Sequence, residues 1–243
     1  MSFATTAIAI PAAILLPVPM PGSWTYIGLS AVLQVGYGIF LAQAYRHGEL
    51  GQVYPMIRGS VPLLVTLGGL LFAGQRPARL VSVGIVLVSM GIASLSLGRA
   101  RASTKTVVLA LLTALFVASY VTADGIGVRL AGNAQSYVVW IVLAYGALMP
   151  LAFLLLRRRL IVDPRSPETL KAVIGGGVSL LSYGLVIAAL ALGKLGPVSA
   201  LRETSIVFSV VIGRVVLGEA LSVRRVLACL VVMLGVFCIS YDA

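Results

Sequence analysis

Residues 58–75 read RGSVPLLVTLGGLLFAGQ, and residues 202–219 read RETSIVFSVVIGRVVLGE. When the two stretches are aligned without a gap, Arg58 lies opposite Arg202, and glycines coincide at two further positions. Apolar letters match easily by chance, so the arginine and glycine positions carry the comparison. An internal repeat in an apolar chain is typical of transporters whose two halves are related.

The composition indicates a membrane protein. The chain is 60% hydrophobic and 10% charged, with a mean hydropathy of +1.07, whereas a soluble domain carries roughly 25% charged residues. A helix needs roughly 20 apolar residues to cross a hydrocarbon core. Nine segments are candidate spans by that measure: 3–20, 24–45, 52–73, 80–98, 107–128, 136–156, 171–193, 197–217 and 226–241.

The repeat predicts an inverted topology. Its first copy begins in the second span, near Tyr37, and its partner begins in the seventh, near Tyr183. Because an odd number of crossings separates the copies, they run through the membrane in opposite senses. We therefore expect an all-α integral membrane protein of about nine transmembrane helices in two inverted repeats. Residues 1–100 form a four-helix repeat and residues 101–243 a five-helix one, a five-plus-five design without its first helix.

The net charge of +11 arises mainly from basic residues in the connections after even-numbered spans. Positive residues favour the cytoplasmic side and face anionic headgroups, so their predicted partner is the lipid bilayer and not nucleic acid. The charge pattern places the C-terminus outside and four connections inside: 46–51, 99–106, 157–170 and 218–225. We expect a multi-pass protein of the cell (inner) membrane.

Three segments resemble the EamA-type permeases of the drug/metabolite transporter superfamily. They are AYRHGELGQVYPMIRGSVPLL at 44–64, YVTADGIGVRLAG at 120–132 and GPVSALRETSIVFSVVIGRVVLGE at 196–219. The resemblance implies ten transmembrane helices in two inverted halves that carry small metabolites or drugs, often outward.

The chain departs from that family in three respects. The count of nine spans predicts that the family's first helix is missing, and the first repeat ends in Gly74-Gln75 where the family usually has Gly-Glu. Family members generally place both termini in the cytoplasm, which conflicts with the charge pattern. Membrane orientation therefore stays open, as does the question whether the absent helix belongs to a longer chain.

Arg58 and Arg202 are the leading candidates for substrate binding. An ionisable side chain inside a membrane costs about 2.5–3.5 kcal/mol on insertion scales, so it is a functional candidate by default. A pair of guanidinium groups would suit a carboxylate or phosphate, which arginine binds with two parallel hydrogen bonds. The alternative is that each arginine fixes a helix end or binds backbone carbonyls.

Two carboxyl groups are candidates for proton coupling. Glu203 is expected either to pair with Arg58 or to bind a proton, because burial disfavours its charged form. Asp124 could titrate as well, but Asp-Gly followed by a second glycine also favours a helix end, with Asp124 capping it or pairing with Arg129. Glu219 is expected to be an interfacial cap or a partner of Arg224.

Four tyrosines are candidate walls of a substrate cavity: Tyr37, Tyr54, Tyr120 and Tyr183. Aromatic walls bind cations and planar substrates. The alternative for each is packing or the aromatic belt at the membrane interface. Tyr37 and Tyr183 are the stronger candidates because they occupy equivalent places in the repeat.

No enzyme chemistry is predicted. The sole histidine, His47, lies in a loop, and the chain has no zinc-protease, phosphate-loop or catalytic-triad motif. No catalytic residue, cofactor or metal is therefore expected. The predicted function is alternating-access transport of small metabolites such as amino acids. The alternatives are a non-transporting or partner-dependent membrane subunit and a drug or cation efflux protein, and a homodimer is possible.

Overall fold

The computed structural model describes residues 2–96, 103–157, 167–215 and 222–241. These residues form α-helices and one 3-10 turn, Pro21–Ser23, and contain no strand. The helices are α1 (Ser2–Leu15), α2 (Trp24–His47), α3 (Leu50–Ala73), α4 (Arg79–Ser94), α5 (Thr104–Leu130), α6 (Ala134–Arg157), α7 (Pro167–Leu192), α8 (Leu195–Arg202), α9 (Ser205–Val215) and α10 (Val223–Tyr241). The expectation of an all-helical fold is confirmed.

Seven helical segments of the described chain are long and apolar enough to cross a membrane: Pro21–His47, Gln52–Ala73, Thr104–Leu130, Ala134–Leu155, Val173–Leu192, Leu195–Ile212 and Val223–Tyr241. The helices Thr5–Leu15 and Arg79–Ser94 are apolar but shorter. The protein is therefore a multi-pass membrane protein with seven candidate spans, whereas the count of nine and the inverted repeats stay predictions.

Large apolar side chains lie on the outside of the helices. Phe72 is 75% exposed, Phe237 is 66% exposed and Leu192 is 93% exposed. Soluble monomers rarely expose contiguous apolar patches larger than a few hundred Å². Surfaces of this kind suit contact with lipid tails, which agrees with the composition.

The chain divides into two compact units, each built from both halves of the sequence. The first unit comprises residues 1–35 and 123–192, and in it α1 packs on α6 and α7. Trp24 packs edge-on against Trp140 there, with ring centroids 4.9 Å apart. The predicted division into repeats at 1–100 and 101–243 is a statement about ancestry and stays a prediction.

The second unit comprises residues 36–122 and 193–243, and α4 packs along α10 inside it. Apolar residues recur on α4 at intervals of three and four, so they share one face of the helix. The buried core that results contains Val81, Ile85, Val88, Ile92, Ala200, Ile206, Val232 and Ile239. Gly84 and Gly235 let the two backbones approach closely, because a Cβ on either glycine would meet the other's carbonyl oxygen.

The end of α3 is tied to the start of α8 within this unit. Gly74 ends α3 in the left-handed conformation (φ 63°), which glycine adopts without steric cost. The next residue, Gln75, accepts a hydrogen bond from the Leu195 backbone N–H on its side-chain oxygen, at 2.8 Å. The glutamine that departs from the family's Gly-Glu thus caps the first turn of α8.

One predicted span contains a break, and one expectation about a helix end is wrong. The predicted span 197–217 is interrupted, because α8 ends at Arg202 and α9 begins at Ser205. Tight three-residue hydrogen bonds form the break, and the Thr204 hydroxyl donates to the Leu201 carbonyl at 2.7 Å, which competes with regular helix. Conversely, Asp124 does not lie at a helix end, since α5 continues to Leu130.

Candidate functional site

A cavity of about 50 Å³ lies within the second unit, where α2, α3, α5 and the end of α8 meet. A single bound water needs about 10–15 Å³ on the same scale, so the cavity can hold a group of a few atoms. The residues that line it are Tyr37, Leu41, Tyr45, Tyr54, Ile57, Arg58, Val61, Val117, Tyr120 and Arg202.

Helical periodicity brings these side chains to the cavity. Tyr37, Leu41 and Tyr45 follow one another at intervals of four on α2, so they lie on one face of that helix. Tyr54 and Arg58 are likewise four residues apart on α3. One short stretch of each helix therefore supplies its part of the wall.

Aromatic rings form much of the wall. The rings of Tyr37 and Tyr120 lie 6.0 Å apart at an angle of 59°. The Arg58 guanidinium carbon lies 5.3 Å from the centre of the Tyr54 ring, within the range of a cation–π contact. The wall thus combines flat apolar faces, phenolic hydroxyls and a guanidinium held against a ring.

An ion pair joins α3 to the end of α8. Arg58 Nη1 donates to Glu203 Oε1 at 3.1 Å. The Glu203 side chain is only 1% exposed, whereas that of Arg58 is 26% exposed and reaches the cavity. The pairing that the sequence left open is therefore present, and its cation is the member that faces the cavity.

Arg202 is the second guanidinium in the cavity wall. Within the part of the chain that the structure describes, it makes no hydrogen bond and no ion pair. Its charge acts on the nearby Glu203 and Tyr37. Among the described residues, two arginines and one carboxyl group are the charged groups at this cavity, so positive charge is in excess by one.

Asp124 and Tyr183 belong to a polar cluster of the first unit. Asp124 is fully buried and accepts hydrogen bonds from the hydroxyls of Tyr183 at 2.7 Å and Tyr137 at 3.4 Å. The Gln34 amide donates to the Tyr183 hydroxyl at 3.3 Å. Tyr183 is thus not among the residues that line the cavity of the second unit. Tyr37, which occupies the equivalent place in the predicted repeat, does line it.

Arg129 binds a backbone carbonyl, and its expected pairing with Asp124 stays a prediction. Its guanidinium donates two hydrogen bonds to the Leu190 carbonyl, at 3.2 and 3.3 Å. Arg129 therefore ties the end of α5 to α7 within the first unit. Glu219, expected to cap a span, lies outside the described residues.

Tyr45 is a cavity residue that the sequence interpretation missed. Its spacing of eight residues from Tyr37 on one predicted helix was the available signal.

No group of three or more histidine, cysteine, aspartate or glutamate side chains that could hold a metal occurs in the four described ranges.

Comparison with known proteins places the chain in a family. A solved crystal structure of a protein is similar to 99% of this chain, and the match covers 84% of that protein's chain. The TM-score is 0.77 and the sequence identity is 19%, so the similarity shows a shared fold alone. No curated protein sequence matches the chain. The sequence profile of the EamA-like transporter family matches residues 104–241, more than half of the chain. The chain therefore belongs to the EamA-like transporter family, within the drug/metabolite transporter superfamily.

Proposed function

We propose that this protein is an alternating-access transporter of the cell (inner) membrane, and that it carries small metabolites with an anionic group, such as amino acids. Arg58 and Arg202 hold the carboxylate or phosphate, and the tyrosine wall holds the rest of the molecule. The observation that carries the proposal is the charge at the cavity, where two guanidinium groups face one carboxyl group.

The excess positive charge favours an anionic ligand, because a guanidinium group removed from water needs a counter-charge. Burying a charge is unfavourable unless a counter-charge and hydrogen bonds replace the lost water. Glu203 compensates Arg58 in part, but Arg202 has no such partner among the described residues. A bound carboxylate or phosphate would supply it, and the guanidinium fork matches the geometry of both groups.

The cavity's size and wall restrict the substrate further. About 50 Å³ accommodates a carboxylate-sized group but not a whole metabolite, so the cavity must widen when a substrate enters. Alternating access supplies such opening movements. The phenol groups of Tyr37, Tyr54 and Tyr120 supply flat apolar faces and hydrogen-bond donors around the anionic group.

The tyrosine wall is also a surface of the kind that binds organic cations, which keeps cation efflux as the second candidate. The two candidates differ in what the arginines do. Guanidinium groups repel a cation, so their removal should strengthen cation binding and weaken anion binding. A partner-dependent subunit would bind neither kind of ligand when purified alone.

The first test measures binding by thermal unfolding of the purified protein in detergent. The probes are benzenesulfonate, L-phenylalanine, inorganic phosphate and the cation tetraphenylphosphonium. A ligand present at ten times its dissociation constant stabilises the folded protein by about 1.4 kcal/mol. We expect stabilisation by at least one of the three anion-bearing probes and none by tetraphenylphosphonium. The reverse pattern would support cation efflux instead.

Variants then assign the site. Arg202→Gln should weaken binding of the anion about 10- to 100-fold, since a hydrogen bond to a charged group contributes about 1.5–3 kcal/mol. Arg58→Gln is made together with Glu203→Gln, so that no buried carboxylate loses its cation. Arg76→Gln, at an exposed arginine outside the cavity, is the matched control and should bind like wild type.

Transport is measured with the protein in proteoliposomes, as uptake of radiolabelled L-phenylalanine or phosphate. Wild type and Arg76→Gln should accumulate the label, and Arg202→Gln should not. Anion binding without uptake would refute transport by this chain alone and leave the anion site in place. Uptake that survives both arginine changes would refute the assigned roles.

A further inference from the structure

The Arg58–Glu203 ion pair is asymmetric in a way that bears on coupling. It is held by one hydrogen bond, from Nη1 to Oε1 at 3.1 Å, rather than by the two parallel hydrogen bonds of a fork. The other carboxyl oxygen, Oε2, is buried and has no hydrogen-bond partner among the described residues. Among the described residues, Arg58 therefore supplies the one side-chain hydrogen bond of Glu203, while Arg58 itself is open to the cavity.

The charged and titratable groups around this pair are few. Those that act on Glu203 are Arg58 from α3 and the adjacent Arg202 at the end of α8. Arg58 in turn interacts electrostatically with Glu203 and with four phenols, those of Tyr37, Tyr45, Tyr54 and Tyr120. Within the described ranges no acidic side chain lines the cavity, and Glu203 is the one acidic side chain that contacts a cavity arginine. An anion in the cavity and Glu203 therefore compete for one guanidinium.

Resting on the function proposed above, we infer that an anion entering the cavity draws the Arg58 guanidinium away from Glu203, and that Glu203 then binds a proton, so that the protein carries an anion and a proton together. The proton comes from the aqueous phase and forms an O–H bond on the carboxylate, while Arg58 keeps its charge. A buried carboxylate without its cation is strongly unfavourable, and protonation removes that charge. For a monoanion the combined movement transfers no net charge.

Binding and protonation must then favour each other to the same extent, because coupling between two sites is reciprocal. The complex holds one proton more than the free protein wherever Glu203 is ionised without ligand. Anion affinity should therefore fall about tenfold for each unit of rising pH in that range. A static ion pair would give affinity that does not follow pH in this manner.

The decisive measurement is calorimetric titration of wild-type protein in detergent with benzenesulfonate, a strong-acid anion whose own charge does not change between pH 5 and 9. The titration is run in Bis-Tris and in Tris, two amine buffers that do not compete for an anion site and that differ in heat of ionisation. We expect a difference in heat that corresponds to uptake of one proton per anion bound. Equal heats in the two buffers, with binding present, would overturn the coupling and leave the anion site standing.

Glu203→Gln provides the second arm. The amide keeps the side chain's shape but holds no charge to lose, so the variant should bind benzenesulfonate with an affinity that is flat with pH and take up no proton. Glu49→Gln, at an exposed carboxyl group outside the cavity, should keep the wild-type slope. A slope that persists in Glu203→Gln would overturn the assignment to this residue.

The two proposals fail in different ways. Wild type that binds neither benzenesulfonate nor the other anion-bearing probes would remove the anion site, and the coupling with it. Binding that is lost in Arg202→Gln but shows no proton uptake would remove the coupling alone. The calorimetry uses the wild-type protein, so it tests the coupling of anion binding to proton uptake even if a variant does not fold.

Discussion

At Arg58 one side chain makes three kinds of contact. The guanidinium pairs with Glu203, stacks over the Tyr54 ring at 5.3 Å and lines the cavity. The ring limits the directions in which the guanidinium can turn, and it attracts the positive charge without competing for hydrogen bonds. Tyr54 thereby keeps Arg58 near the cavity whether or not it is paired with Glu203.

This role of Tyr54 is testable with two substitutions. Tyr54→Leu should weaken benzenesulfonate binding about fivefold, since an exposed cation–π contact contributes about 1 kcal/mol. Tyr54→Phe keeps the ring and should bind within about twofold of wild type. Calorimetric titration gives both affinities. Equal losses in the two variants would show that the hydroxyl matters rather than the ring.

Among the helices, α8 and α9 determine where Glu203 lies. The helix breaks immediately after Arg202, and the carboxyl group therefore sits at the cap of α8 instead of in the middle of a continuous span. Broken helices are common at the binding sites of transporters. The core that α4 and α10 form with residues of α8 and α9 keeps this break in place.

The close approach of α4 and α10 predicts the effect of a small substitution. Gly84→Ala should lower the free energy of unfolding by about 1–3 kcal/mol, because the added methyl group would meet the Gly235 carbonyl oxygen and force the helices apart. Gly177→Ala, also inside a helix, has open space around its Cβ and should be neutral or slightly stabilising. Thermal unfolding in detergent compares them; equal effects would contradict the close contact.

For the whole molecule, the distribution of basic residues predicts an orientation in the membrane. The charge pattern predicts an external C-terminus, whereas members of the family generally have a cytoplasmic one. Positive residues in short connections dominate orientation in general, since they resist transfer across the membrane. Several of those connections lie wholly or partly outside the described residues, so the prediction rests on the sequence.

Reporter fusions decide the orientation. Alkaline phosphatase fused after residue 241 should be active in cells and green fluorescent protein at the same place dark, because the first works outside and the second inside. Fusions after residue 49, in a connection predicted to be cytoplasmic, serve as the control and should show the reverse. A fluorescent C-terminal fusion would instead support the family's orientation.

The amino-acid sequence by itself determined the class of protein, the family and most of the charged candidates. Hydrophobicity, charge clusters and short motifs are local properties that add along the chain. Composition alone therefore indicated membrane helices. Arg58, Arg202 and Glu203 were identified as ionisable residues in apolar segments. Spacing on α2 could have added Tyr45 to Tyr37.

Tertiary structure alone decided which of these residues meet. It joined Arg58 to Glu203, broke the predicted span after Arg202, and placed Tyr183 with Asp124 in the first unit instead of in the cavity wall of the second. Such contacts depend on how each helix is rotated about its axis and on which helix packs beside it. Those quantities arise from packing between residues distant in sequence, and a local pattern does not contain them.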